Sequence, residues 1–254
     1  MEFIRYNQFV NVVGVTSLRT NGVSKGPYES LNLALQVNDD YDNVMKNREI
    51  FFNKLGVDIN NSVFMYQTHS INIQKVDVSD AKKGLNEFKD GVYDVDGIYT
   101  YEPNLVLCSL HADCVPLFFY DKEKKFVGVI HAGWQGTLKY ATKHMLKKVI
   151  EDEKVDIKNL YVYLGPNIQD QLLIDDEVKE LMTNVKVPSE CIVKKDDKYY
   201  LDIEKMNVIQ LKELGITNIE LSGRNTYNEP ELFFSFNRDN KVCGRHISAI
   251  YKVK

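Results

Sequence analysis

The chain has little of what several protein classes need in bulk. Five histidines cannot ligate the four coppers of a multicopper oxidase, which excludes that centre by count. No stretch approaches the roughly 18 consecutive apolar residues needed to span a bilayer. The opening Met1-Glu2-Phe3-Ile4-Arg5 is acidic and lacks the apolar run of a secretory signal. Positive charge is also in short supply. The formal net charge is −4, so the sequence carries no electrostatic footprint for nucleic acid or an anionic membrane surface. These absences lead us to expect a soluble, cytoplasmic protein with neither nucleic acid nor membrane as a partner. In that compartment its four cysteines, Cys108, Cys114, Cys191 and Cys243, are reduced thiols, and burial, metal binding or catalysis must account for each. Linkers, repeats and low-complexity tracts are missing too, so a single domain over residues 1–254 is expected.

What is present belongs to a globular protein. Hydrophobic residues make up 44% of the chain, including 15 Tyr and 12 Phe, enough for a substantial core. Asn11–Thr16 reads as a first strand, leading into a polar loop from Arg19 to Pro27. Asp39, Asp40 and Asp42 cap a helix whose apolar face carries Val44, Ile50, Phe51 and Leu55 and which stops at Gly56. Val63–Gln67 and Ile71–Val76 are strands, residues 78–94 a polar loop. Val95–Tyr99, Leu105–Leu110, Val115–Tyr120 and Phe126–Ile130 form the central strands. One helix is predicted over Gly136–Glu151 from its apolar face of Leu138, Ala141, Met145, Leu146, Val149 and Ile150. Tyr161–Leu164, two helices near Asp175–Asn184 and Ile203–Leu214, and strands Ile219–Leu221 and Ile247–Val253 complete the reading. Strict βαβ alternation is missing, so the fold class is α/β with a mixed sheet and helices packed outside.

Chemistry concentrates where the central strands end. His111-Ala112-Asp113-Cys114 and His131-Ala132-Gly133-Trp134 each close an apolar run, and Thr68-His69-Ser70 separates two strands. His69, Cys114 and His131 could meet, and imidazole with thiolate suits tetrahedral zinc. Three protein ligands leave a fourth position open, as in catalytic zinc sites. Their separations carry no motif specificity, so spacing alone leaves the site open. His111-x-x-Cys114 is the competing chelate, with His111 otherwise lining the pocket. Copper is the alternative metal, although blue-copper sites gather their ligands within one loop and no His or Met closely follows Cys114. Cys108 reads as a core thiol, Cys191 and Cys243 as structural, His144 as solvated, and His246 as a satisfied structural histidine.

These residues resemble the YfiH family of laccase-domain proteins, which are polyphenol-oxidase-like and regarded as purine nucleoside phosphorylases. The resemblance rests on Gln67-Thr68-His69, Ala112-Asp113-Cys114-Val115-Pro116, His131-Ala132-Gly133-Trp134 and Phe234-Ser235-Phe236. It extends to Thr16-Ser17-Leu18-Arg19, Gly22-Val23-Ser24, Ser30-Leu31-Asn32-Leu33, Asn47-Arg48 and Gly165-Pro166. It implies a single-domain α/β/β/α sandwich and zinc on His69, Cys114 and His131. The activity implied is phosphorolysis of adenosine, inosine and S-methyl-5′-thioadenosine, with adenosine deaminase side activity, in a monomer or homodimer. The same family brings two alternatives: peptidoglycan editing by hydrolysis of a muramic-acid amino-acid precursor, and copper-dependent polyphenol oxidation. The chain departs from the family pattern at Gln135 and Asn237, where arginine is usual, at Asn225, where cysteine is usual, and over Ile168–Gln171. Gln cannot supply a charged bidentate fork to an anion.

Within that frame Asp113 is expected to move a proton or to orient Cys114. The turn at Gly133, Trp134 and Gln135 would offer backbone N–H groups to phosphate ahead of a helix, with Arg48 and Asn32 assisting. Trp134 would stack on the purine or simply pack. Cys114 and His131 could instead form the nucleophile–base pair of a cysteine hydrolase.

Overall fold

A computed structural model describes residues 3–6 and 11–253; Met1 and Glu2, part of the acidic start, lie outside the described residues. Strands β1 (Phe3–Tyr6) and β2 (Val12–Ser17) and helix α1 (Tyr41–Leu55) lead into β3 (Ser62–Tyr66), β4 (Ile73–Lys75), β5 (Val92–Tyr93) and β6 (Gly97–Thr100). Next come β7 (Val106–His111), β8 (Val115–Asp121) and β9 (Val127–Ala132), then α2 (Trp134–Leu138) and α3 (Ala141–Glu153). β10 (Leu160–Leu164), β11 (Leu172–Leu173), α4 (Asp176–Met182), β12 (Ile192–Lys195) and β13 (Lys198–Leu201) follow. α5 (Ile203–Glu213), β14 (Asn218–Leu221) and β15 (His246–Lys252) complete the order.

Two six-stranded mixed sheets result, in the orders β1-β2-β15-β7-β3-β5 and β14-β10-β8-β9-β6-β4, beside a small β11-β13-β12 sheet. Side-chain alternation explains their stacking. In β7, Leu107 faces the second sheet with Val63 and Ile250, meeting Phe118, Val129 and Tyr163, while Cys108 and Leu110 turn the other way onto Phe51, Phe52 and Leu55 of α1. In β8 and β9, Leu117, Phe119 and Ile130 face outward onto Met145 and Val149 of α3 and Leu211 of α5. Helix, sheet, sheet and helices thus stack as α/β/β/α. Strands covered on both faces read as unbroken apolar runs, which is why β7, β8 and β9 are legible in the sequence.

α1 begins on an Asp40 side chain accepting from Asn43 N and ends on Gly56 at φ 77, as the caps predict. The single helix expected over Gly136–Glu151 is instead two. Tyr140 adopts a left-handed φ of 58 between α2 and α3, and its hydroxyl donates to Lys186 O at 2.7 Å. Gln210 of α5 donates to Thr137 O at 2.9 Å, giving a carbonyl at the end of α2 a partner outside its own helix. The apolar periodicity continues through the break, so the pattern hides it. The β12–β13 hairpin was not anticipated either. Its strands are half exposed and charged, and they lack the apolar signal of a core strand.

Candidate metal centre

Two turns and a strand end bring the candidate ligands together. The turn after β7 carries Cys114, which directly precedes β8. The antiparallel register of β8 and β9 pairs Pro116 with His131. His69 sits on the turn following β3, in a left-handed backbone at φ 57. Ligating atoms of His69, Cys114 and His131 all lie within 4.8 Å of one another. The two imidazoles meet edge to face, centroids 5.2 Å apart. Spacing could not reveal this cluster because its members come from two turns and the end of a strand, which only the sheet pairing aligns.

One buried carboxylate organises the cluster. Asp96, fully buried ahead of β6, bonds His131 Nδ1 at 2.8 Å through Oδ1. Its Oδ2 accepts from the backbone N–H groups of Thr68 and Ser70, at 3.1 and 2.7 Å. Asp96 therefore orients the His131 ring, turning Nε2 to Cys114, and also pins the turn that holds His69. Sequence reasoning missed it. The available signal was an acid inside an apolar strand run, which burial tolerates only with partners.

Gly133 supplies the close approach. A Cβ there would lie 2.6 Å from His69 Cδ2 and 3.1 Å from Cys114 Sγ, so the donor set rests against bare backbone. Electrostatics favour a thiolate. Burial opposes ionisation of Cys114, yet the facing His131 and His69 outweigh it and bring the thiol down to about 6. Burial likewise opposes the charged form of His131, and Cys114 and Asp96 drive it upward instead. A thiolate, two imidazoles and a carboxylate behind one of them fit a zinc-type ion by donor chemistry and outer-shell support. Among the described residues this is the one group of three or more such side chains that could hold a metal.

The cluster opens into a cavity of about 750 Å³, also lined by Gln67, Trp134, Gln135, Tyr227, Phe236 and Arg245. The sequence-predicted residues divide around it. Gly133, Trp134 and Gln135 stand beside the donor set. Arg48 does not reach it. Its guanidinium is fully buried, donates to the carbonyls of Leu33, Gly84 and Leu85 and lies over the Phe64 ring. It ties loops together and is neither a surface ion pair nor a cavity cation, because α1 points it inward. Asn32 is also fully buried; its side chain engages Ala34 and Asp39 and accepts from Arg245 N at 2.9 Å. It positions a cavity residue from behind.

Asp113 is fixed as an acceptor. Thr226 Oγ1, Ser235 Oγ, Asn237 N and Asn237 Nδ2 all donate to its carboxylate, at 2.7, 3.0, 2.7 and 2.7 Å. With φ 82 it clamps the turn carrying Cys114 to the segment before β15. Three of these donors share Oδ2 and one reaches Oδ1, an arrangement that holds the carboxylate in place.

The other histidines and thiols separate cleanly. His246 accepts from Phe234 N at 2.8 Å, and burial pushes it down to about 3. His144 is exposed on α3. Cys108, Cys191 and Cys243 are buried, and burial raises each thiol. His111 is buried next to the site, bonded through Nε2 to Ser248 Oγ at 2.8 Å. It does not join the donor cluster.

No helix among the described residues is long and apolar enough to cross a membrane. The chain is 38% identical to purine nucleoside phosphorylase YlmD of Bacillus subtilis (strain 168) over 244 residues, covering 94% of this chain and 87% of that protein. Its fold is similar to the crystal structure of YlmD from Geobacillus stearothermophilus, with a TM-score of 0.91, 34% identity and coverage of 98% and 94%. It is also similar to the Bacillus licheniformis hypothetical protein YfiH, with a TM-score of 0.89, 33% identity and coverage of 96% and 93%. The family model described as multi-copper polyphenol oxidoreductase laccase matches residues 13–252. With the match running through nearly the whole chain, the protein belongs to the multi-copper polyphenol oxidoreductase laccase family.

Proposed function

We propose that the protein is a zinc-dependent purine nucleoside phosphorylase acting on adenosine, inosine and S-methyl-5′-thioadenosine, with adenosine deaminase side activity. The observation that carries this reading is the His69–Cys114–His131 set opening into a cavity of about 750 Å³, room for a nucleoside and an anion together. The names of relatives such as purine nucleoside phosphorylase YlmD support it. His69, Cys114 and His131 would hold the metal, which supplies Lewis acidity at an oxygen of the bound reactants.

The chain's own residues bind and orient. Trp134, half-buried in the wall, offers an aromatic face to the purine. Gln135 offers a neutral amide, donor and acceptor together, to the edge of the base. Phe236 and Tyr227 cover the remaining apolar area and exclude water. Phosphorolysis then forms a bond from a phosphate oxygen to the ribose C1′. The C1′–N9 bond breaks with its electron pair on the purine, which takes up a proton. Holding phosphate and C1′ together accounts for much of the expected acceleration.

Incubating metal-quantified protein with inosine, adenosine and phosphate tests this directly. Ribose 1-phosphate is the expected product by mass, with inosine appearing from adenosine as the minor reaction. Absence of ribose 1-phosphate with every nucleoside would falsify the assignment.

A second reading has a specific observation in its favour. Cys114, His131 and Asp96 also form a thiol–imidazole–carboxylate row, the pattern of a cysteine hydrolase, suited to cleaving a muramic-acid amino-acid precursor. Full activity after chelation, abolished by iodoacetamide, would select that reading. Copper-dependent polyphenol oxidation has less support, since no methionine among the described residues lines the cavity to act as a weak axial ligand.

A further inference from the structure

The cavity lining carries cations that metal binding does not explain, Lys198, Lys241 and Arg245, and of these the arginine is the one held in a fixed geometry. Arg245 lies directly before β15. Its Nη1 donates to Cys243 O and Gly244 O, at 2.7 and 3.1 Å, and its backbone N–H donates to Asn32 Oδ1. The guanidinium lies over the Phe236 ring, 5.1 Å from the centroid. One edge of the fork is thus anchored, while Nε and Nη2 have no acceptor and no carboxylate partner among the described residues. A preorganised guanidinium edge facing a cavity matches the paired oxygens of a tetrahedral oxyanion.

A second observation points the same way. His111 lines the same cavity and is 1% exposed, yet its Nδ1 has no hydrogen-bond partner. The hydroxyls of Thr16 and Ser248 form a hydrogen-bonded chain to His111 Nε2, at 2.7 and 2.8 Å. When Ser248 donates to Nε2, Nδ1 carries the proton and becomes a donor. A buried donor without an acceptor is costly unless a ligand or solvent supplies one.

We propose that Arg245, supported by His111, forms the oxyanion subsite of this cavity, and that its occupant during turnover is inorganic phosphate. The identity of that occupant rests on the phosphorylase reading; the subsite itself does not. It also replaces Arg48 as the cationic anchor and removes any need for an arginine at Gln135.

The test uses the metal-loaded protein with Arg245→Gln and Arg245→Lys, each checked for an unchanged thermal midpoint without anion. Phosphate KM should rise at least tenfold in Arg245→Gln while nucleoside KM stays within twofold, and Arg245→Lys should recover part of the loss. Sulfate, an unreactive tetrahedral dianion, should raise the thermal midpoint of the wild type and not of Arg245→Gln. Phosphorolysis by Arg245→Gln at wild-type phosphate KM overturns the subsite and leaves the phosphorylase reading standing. A wild type that shows the Arg245-dependent sulfate shift but no phosphorolysis keeps the subsite and removes that reading. Wild-type protein with neither sulfate stabilisation nor phosphate-dependent turnover overturns the subsite as well.

Discussion

At the scale of single residues, the site is organised by groups that do not touch a substrate. Asp96 uses both carboxylate oxygens, one on His131 and one on the turn bearing His69. Asp96→Asn would place an amide NH₂ against donors, so zinc affinity should fall about 10–100-fold. Competition with a chelating dye measures that, and unchanged affinity would remove Asp96 from the centre. Gly133→Ala should release metal from a protein that keeps its secondary structure, because the new methyl meets His69 and Cys114. Metal content by mass spectrometry alongside circular dichroism separates these outcomes. The thiols make a third case. With the metal stripped, Cys114 should be alkylated by iodoacetamide ahead of the buried thiols. Its rate should level off soon above pH 6, since its thiol lies near 6, whereas an ordinary cysteine keeps gaining reactivity past pH 8.

Elements set the directions in which these residues point. α1 turns Arg48 into the layer between helix and sheet, where three carbonyls accept from it. Arg48→Met would strand those carbonyls and cost about 3 kcal/mol or more. Urea unfolding should register that loss, while the folded fraction keeps its phosphate KM. A raised phosphate KM without lost stability would return Arg48 to the anion. The break between α2 and α3 has a similar logic. It leaves α2 only five residues long, enough to turn Trp134 and Gln135 toward the cavity, while α3 covers the second sheet.

For the whole molecule, two imidazoles are buried as neutral groups near the site. Burial pushes His246 down to about 3 and His111 well below its ordinary value. Their unfolded counterparts take up protons below about 6.5. The unfolded state therefore binds more protons in acid, and stability present above that pH is lost as pH falls towards the folded values. The slope is on the order of 1 kcal/mol per pH unit for each group. Urea midpoints of metal-free protein at pH 7 and pH 5 should show the drop, and His246→Gln should flatten it. An equal drop in that variant would assign the acid sensitivity elsewhere.

Local pattern sufficed for much of this protein. Apolar runs exposed the doubly covered strands β7, β8 and β9, and Asp40 with Gly56 marked the ends of α1, because burial and capping act over a few neighbouring residues. His69, Cys114 and His131 stand out through the turns and strand end that carry them, and their likeness to a family pattern groups them. Their meeting within 4.8 Å, the carboxylate of Asp96 behind two of them, and the fate of each arginine depended on the pairing of distant strands. Arg48 and Arg245 differ little in local sequence signal. One is enclosed in a packed interior and the other borders a cavity, and only the stacking of sheets and helix decides which guanidinium is sealed away and which can meet a ligand.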